Sequence, residues 1–185
     1  MKVGLLSYRS HPYSGGQGIY IKHLSKALKN LGHEVSVLSG PPYPELDSEV
    51  NLIKIPSLGL FESGERLKAF RLRFLWSPID LYEWITVMTG GFPEPYTYGK
   101  RVLKRLKENN LKLDVLLDNQ SLSSSLLEIQ AHYPLAVTIH HPITKDHKLE
   151  MQNAINWKER LSSSRWHNFL PCLLYTSPSP RDSDQ

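Results

Sequence analysis

Cysteine is nearly absent from this sequence, whose 185 residues include only Cys172. A cysteine-based structural zinc site is therefore excluded. Long apolar runs are missing as well, since none approaches the ~18 residues that span a bilayer. The apolar residues that follow Lys2 end too soon for a signal peptide. The sequence therefore predicts a cytoplasmic protein.

The sequence also lacks a strong excess of charge of either sign. It has 22 Lys and Arg against 18 Asp and Glu, a formal net charge of +4. This excess is far below that of a dedicated nucleic-acid binder, so nucleic acid is excluded as the expected partner. With 40% apolar and 22% charged residues, the composition is that of a soluble globular domain.

The C-terminal segment 172–185 has no pattern of a folded element. Its run CLLYTSPSPRD follows a helical pattern without a capping residue, and it resembles a translated sequencing-adapter end. We therefore interpret 172–185 as a non-native tail and 1–171 as the N-terminal domain of a longer protein. The alternative is a natural disordered tail rich in serine and proline.

The remaining pattern alternates strands with helices. Strands are predicted at 3–8, 34–38 and 51–55 and at two runs that end at Asp118 and His140. Helices are predicted at 18–31, 98–109, 121–133 and 148–161, with two short ones in 61–89 separated near Pro78. Strand–helix–strand units imply parallel pairing. The predicted fold class is α/β, a doubly wound and mostly parallel sheet.

Three polar groups stand at the predicted carboxyl ends of strands, where such sheets bind ligands. They are the loop Gly15-Gly16-Gln17-Gly18, the run Asp118-Asn119-Gln120 and the pair His140-His141. Parallel strands bring their carboxyl ends to one edge of the sheet. The sequence therefore predicts one binding site there, with Asp118 and Asn119 on its acceptor side. For Asp118, a strand-end cap is the alternative.

The glycine loop predicts an anion site, since backbone N–H groups and a helix dipole favour phosphate. A tight turn that only needs positive φ is the alternative. The phosphate-binding P-loop is absent, and the dinucleotide fingerprint fails because Ile21 stands where a third small residue is required. The second strand ends in Ser39-Gly40, without a carboxylate for a ribose.

Two further groups have more than one interpretation. His140 and His141 with Asp146 and His147 do not have the spacing of a structural zinc site, so no metal is expected. The basic and aromatic stretch 66–76 is compatible either with a peripheral packed helix or with contact at the inner, anionic membrane surface.

The run GGQGIYIKHLSKALKNLGHEVSVLSG resembles the opening of the family 4 retaining glycosyltransferases. In that family a glycine pair precedes a helix, and a Gly-His-Glu-Val motif follows it. The glycine pair corresponds here to Gly15-Gly16, two apolar positions of the helix to Leu24 and Leu28, and the motif to residues 32–35. The run AVTIHHP is similar to a family strand that ends in histidine. The resemblance extends over about residues 1–170.

The resemblance implies a two-domain GT-B fold and a nucleotide-sugar donor, with no cofactor or metal. Gly15 and Gly16, with Gln17 and Gly18 beside them, would lie against the donor's diphosphate and sugar. His140 would face the reacting sugar as the catalytic residue. The acceptor is unknown and could be a lipid, a glycan or a small molecule.

The donor nucleotide would be held by a second domain, so this chain alone is expected to be inactive. Two alternatives stay open: a non-catalytic phosphate-ligand domain, and half of a dinucleotide-dependent oxidoreductase. A second doubly wound domain in the full-length protein would favour the transferase.

Overall fold

The structure, a computed structural model, describes residues 1–60, 70–109, 111–140 and 142–167. Within them, one parallel sheet has the strand order β3-β2-β1-β4-β5. Its strands are β1 (Lys2–Ser7), β2 (Glu34–Ser39), β3 (Asn51–Lys54), β4 (Val115–Asn119) and β5 (Leu135–Thr138). The predicted parallel α/β fold is confirmed, and the order reverses between β1 and β4.

Helices connect the strands and cover the sheet. They are α1 (Gln17–Asn30), a 3₁₀ helix (Leu72–Trp76), α2 (Pro78–Met88), α3 (Glu94–Asn109), α4 (Leu126–Gln130), α5 (Ile143–Asn153) and α6 (Trp157–Trp166). Among the described residues, no helix combines the length and apolar character needed to cross a membrane.

Two apolar cores lie on opposite faces of the sheet, as a doubly wound fold requires. On one face, Ile21 of α1 packs with Val3, Leu5, Val35 and Val37. On the other face, residues from α3 and α4 pack against β1, β2, β3 and β4; they include Val102, Leu106, Ile129, Leu6, Leu38, Ile53 and Leu116. Alternate residues of β1 thus face different cores, because successive side chains of a strand point to opposite faces.

Helix α1 ends at the glycine that the sequence marks as its stop. Gly32 has φ +83°, and its N–H donates to the Lys29 carbonyl at 2.9 Å. The next N–H, of His33, donates to the Leu28 carbonyl at 3.1 Å. This pair of bonds is the Schellman motif, which satisfies the last carbonyls of a helix. It returns the chain directly into β2.

Two helix predictions are corrected. The single helix predicted at 148–161 is wrong, because the chain breaks between α5 and α6, where the Asn156 side chain accepts the Glu159 N–H at 2.9 Å as an N-cap. The helix predicted at 121–133 is only α4, because buried serines 121, 123 and 125 occupy a loop before it. Residues 66–69, His141 and the predicted tail 172–185 lie outside the described residues.

Candidate functional site

The candidate site lies at the carboxyl edge of the sheet, beside the reversal between β1 and β4. Residues 8–16 leave β1 there, Asn119 ends β4, and His140 follows β5. This is the position at which open parallel sheets bind ligands. The predicted convergence of the three strand ends therefore holds.

The glycine loop has the backbone conformation that only glycine adopts easily. Gly15 and Gly16 have φ +79° and +71°, and α1 begins at the next residue. A Cβ added at either glycine would meet no atom within 4 Å. The glycines are therefore required by backbone conformation and not by crowding within the protein, and open space adjoins them.

A cleft of about 400 Å³ opens beside this loop. It is lined by Tyr8, Arg9, His11, Ser14, Gly15, Gln17, Pro42, Gln120 and His140. Residues from four separate parts of the chain thus share one cavity. Its lining combines backbone at a helix N-terminus, an arginine and two imidazoles, groups that suit a polar or anionic ligand.

The predicted site residues divide between the cleft and its support. Gly15, Gln17 and His140 line the cleft. Gly16 lies between two lining residues. Gly18 is a packing residue, because a Cβ there would stand 2.1 Å from the His11 carbonyl oxygen.

Asp118 and Asn119 lie behind the lining, with 0% and 2% of their surface exposed. The Ser121 N–H donates to Oδ2 of Asp118 at 2.9 Å, as in a strand-end cap. Burial raises the pKa of the Asp118 carboxyl from 3.8 to about 6, because a charged carboxylate loses its hydration there.

His140 is held at three points. Its backbone N–H donates to Oε1 of Gln120 at 2.8 Å. Its ring nitrogen Nε2 is hydrogen-bonded to Oδ1 of Asn119. The Tyr20 ring meets the imidazole edge-on, with 4.8 Å between ring centroids. The end of β4 and the first turns of α1 therefore both fix this side chain at the cleft.

Several lining residues were not predicted from the sequence. The sequence interpretation gave no role to Tyr8, Arg9, His11, Ser14 or Pro42. Arg9 lies 3.6 Å from Glu94 at the start of α3, a contact that no sequence spacing reveals. These unpredicted lining residues share one feature that the sequence shows: all but Pro42 lie between β1 and the glycine loop.

The structure explains why the dinucleotide fingerprint fails. Ile21 is fully buried at 0% exposure and belongs to the core between α1 and the sheet. A dinucleotide site needs a small residue there for close helix–strand packing. At the end of β2, the Ser39 hydroxyl is buried and bonded to Ser10 at 2.9 Å. No ribose-binding carboxylate stands at the end of this strand.

The residues described contain no group of three or more His, Cys, Asp or Glu placed to hold a metal ion. The expectation of a metal-free site stays a prediction, since His141 lies outside the described residues.

Fold and cleft together define a doubly wound α/β domain with a glycine loop and a histidine at its switch point. The profile of glycosyltransferase family 4 matches residues 14–183, and the chain belongs to that family. The chain is also 44% identical over 172 residues to the MMP α-(1→4)-mannosyltransferase of Mycolicibacterium hassiacum (strain DSM 44199). That alignment covers 92% of this chain and 42% of the relative's length.

Proposed function

We propose that the full-length protein carrying this chain is a retaining glycosyltransferase, which moves a sugar from a nucleotide donor to an acceptor hydroxyl. The observation that carries this proposal is the cleft, where Gly15, Gln17 and His140 meet in a chain of glycosyltransferase family 4. In the reaction the bond between the anomeric carbon and the donor's phosphate oxygen breaks, and that carbon forms a bond to the acceptor oxygen. The proton of the acceptor hydroxyl passes to the leaving nucleoside diphosphate.

Each side of the cleft has a part in this reaction. The turn at Gly15 and Gly16 leaves space in which a donor diphosphate can approach the backbone at the start of α1. His140 contacts a hydroxyl of the transferred sugar and orients it in the transition state. The reaction needs no bound metal, because backbone groups and basic side chains stabilise the leaving diphosphate.

The relative's name suggests the sugar and the linkage. It is a mannosyltransferase that forms an α-(1→4) bond, so we propose a mannose donor and a sugar hydroxyl as acceptor here. Arg9 and His11 line the same cleft and contact the acceptor or the donor phosphates. The nucleotide itself is held by parts of the full-length protein beyond this chain.

Incubating the full-length protein with GDP-mannose, UDP-glucose or ADP-glucose and a panel of mannosides and glucosides tests the proposal. Mass spectrometry of the products identifies any transfer, and NMR of the new anomeric proton gives its configuration. We expect an α-linked product in the presence of EDTA. Hydrolysis without transfer, or an inverted linkage, would contradict the proposal.

Peripheral membrane contact is part of the proposal because the 3₁₀ helix exposes large apolar side chains. Leu72, Leu75 and Trp76 are 76%, 59% and 89% exposed, and Arg71 and Arg73 beside them are exposed too. Apolar side chains flanked by arginines suit an anionic bilayer surface. Co-sedimentation with phosphatidylglycerol vesicles should fall in Trp76→Ser and with added salt. Equal amounts of the wild type and Trp76→Ser in the vesicle pellet would argue that these side chains have a lipid-independent role.

A further inference from the structure

A chain of buried hydroxyls runs behind the cleft between two backbone carbonyls, those of Arg9 and Gly40. Ser7 Oγ lies 3.0 Å from the Arg9 carbonyl oxygen. Ser10 Oγ lies 2.8 Å from Ser7 Oγ, and Ser39 Oγ lies 2.9 Å from Ser10 Oγ. All three serines have 0% exposure, so water does not compete for these bonds.

This chain has a carbonyl acceptor at each end, because the Ser39 hydroxyl also lies 2.9 Å from the Gly40 carbonyl oxygen. Carbonyl oxygens only accept, so the hydroxyl hydrogens are ordered either toward Arg9 or toward Gly40. In the first order the single Ser7 hydrogen points to the Arg9 carbonyl, and in the second it points to Ser10 Oγ. In both orders the Ser7 oxygen has no hydrogen left and offers only a lone pair to a further neighbour.

That further neighbour is the side-chain amide of Asn119, whose Nδ2 lies 3.4 Å from Ser7 Oγ. If the amide were flipped, its oxygen would face an oxygen without a hydrogen, which is unfavourable in a buried site. Asn119 is 2% exposed. Its Nδ2 therefore faces Ser7, and its Oδ1 faces His140.

An oxygen of Asn119 can only accept, so the bonded Nε2 of His140 must carry a hydrogen. In the neutral imidazole the other nitrogen, Nδ1, is then the acceptor. Gln120 supports the same ring through the His140 backbone N–H. Gln120 itself has φ +49°, a strained conformation for a non-glycine residue of the kind found at functional sites.

We propose that Asn119 is a positioning residue that fixes His140 in the Nε2–H tautomer, so that His140 accepts a hydrogen bond from a substrate hydroxyl through Nδ1. This inference rests on the proposed function for the identity of the substrate, a hydroxyl of a bound sugar. The tautomer itself depends only on the contacts from Ser7 to His140. Asn119 acts on the substrate through the histidine.

The tautomer can be measured without substrate, by the ¹⁵N shifts of the imidazole nitrogens in the full-length protein labelled at histidine. His140→Gln assigns the signals by removing them. We expect a protonated Nε2 and an unprotonated Nδ1 in the wild type. Asn119→Leu should give the averaged shifts of an unrestrained ring. A wild-type His140 with its proton on Nδ1 would overturn the proposal, whether or not the protein transfers sugar.

Turnover gives a second readout that separates positioning from a purely structural role. Asn119→Leu should lower kcat by about 10-fold to 100-fold with a smaller change in donor KM, since a misplaced catalytic contact acts mainly in the transition state. Asn119→Asp keeps the acceptor but adds a carboxylate, which favours the imidazolium, a form that cannot accept. Its kcat should recover as pH rises, with the acidic limb displaced upward relative to that of the wild type.

Asn51 provides the matched control. Its side-chain amide also donates to a serine hydroxyl, that of Ser36 at 3.2 Å, but it lies at the start of β3, away from the cleft. Asn51→Leu and Asn51→Asp should leave kcat and its pH profile unchanged. Equal losses of kcat in the Asn51 and Asn119 variants, or identical acidic limbs in Asn119→Asp and the wild type, would refute a positioning role for Asn119.

Discussion

The Arg101 guanidinium binds the buried carboxylate of Glu83, with 2.5 Å between Nη1 and Oε2. Glu83 is 1% exposed, and its second oxygen accepts the Leu58 N–H at 2.9 Å. Arg101 also reaches Asp80 through Nη2 at 2.5 Å. One arginine on α3 therefore holds α2 and the loop after β3 together.

Removing this arginine should destabilise the fold strongly. Arg101→Met is expected to lower the free energy of unfolding by about 3–5 kcal/mol, because it leaves Glu83 buried without a cation. Urea unfolding measures the change. Adding Glu83→Gln should recover part of the loss, since a neutral amide still accepts the Leu58 N–H.

Lys107→Met is the matched control for this prediction. Its partner Glu128 lies 2.7 Å away, but both side chains are about half exposed, at 57% and 45%. An exposed pair contributes little because solvent screens it. Equal losses in the Lys107 and Arg101 variants would show that the burial of Glu83 is not the cause.

A second prediction separates backbone strain from donor contact in the glycine loop. Gly15 and Gly32 both have positive φ, +79° and +83°, and a Cβ at either has no neighbour within 4 Å. Alanine at each should cost about 1–2 kcal/mol of stability through left-handed strain. Only Gly15→Ala should also impair sugar transfer, because Gly15 lines the cleft. Transfer rates reduced alike in both variants would assign the effect to strain alone.

The sequence predicts the sheet well because local patterns determine its elements. The apolar runs of β1, β2 and β4 and the helical spacing of Ile21, Leu24 and Leu28 are strong signals, and Gly32 marks the end of α1. The break between α5 and α6 was missed. The break depends on a local N-cap at Asn156. The helical pattern of the sequence continues through this residue, so it does not indicate the break.

The location of the site could be predicted from the sequence, but the hydrogen bonds that hold its side chains in place could not. The strand-end rule brings Asn119 and His140 to the same edge of the sheet, but it does not show that one is bonded to the other. The Ser7–Ser10–Ser39 chain joins residues from β1, the following loop and β2. Such bonds depend on tertiary distances, which no periodicity in the sequence records.

A third prediction concerns the pH dependence of stability. The pKa of Asp118 is about 6 in the folded protein, raised from 3.8 by burial, so between these values the folded state binds the proton more tightly than the unfolded state. Its contribution to stability is therefore largest below about pH 4 and falls as pH rises to about 6. From 1.36 kcal/mol per pKa unit, the loss is on the order of 3 kcal/mol.

Asp118→Asn should remove this pH dependence, since an amide does not titrate. The quantity to measure is the difference in unfolding free energy between wild type and variant, at pH 4 and again at pH 7. We expect the unfolding free energy of the wild type, relative to that of the variant, to be higher at pH 4 than at pH 7. Parallel stability curves for the two proteins would mean that Asp118 titrates normally.

A fourth prediction tests the imidazole at the cleft. His140→Ala in the full-length protein should lower kcat by about 100-fold, the loss of one transition-state contact. His23→Ala is the control, because His23 is an exposed residue of α1 outside the cleft lining. Steady-state transfer with the preferred donor measures both. A His140 variant within a factor of two of the His23 variant would remove His140 from the reaction.

The last prediction concerns the chain without the rest of the protein. The chain spans 42% of the length of the mannosyltransferase that it matches, and its cleft is lined from the strand ends of a single sheet. A transferase site formed between two domains needs contacts from both to orient and stabilise the transition state. We therefore expect the 185-residue chain to fold but to transfer no sugar.

Circular dichroism would establish that this chain is folded, and the donor panel used for the full-length protein would then measure its turnover. Adding the remaining part of the protein as a separate polypeptide should restore some transfer if the two halves associate. Robust turnover by the 185-residue chain alone would show that one sheet edge is sufficient for catalysis. The two-domain site would then be wrong, and Arg9 and His11 would become the first candidates for holding the donor diphosphate, because both line the cleft beside the glycine loop.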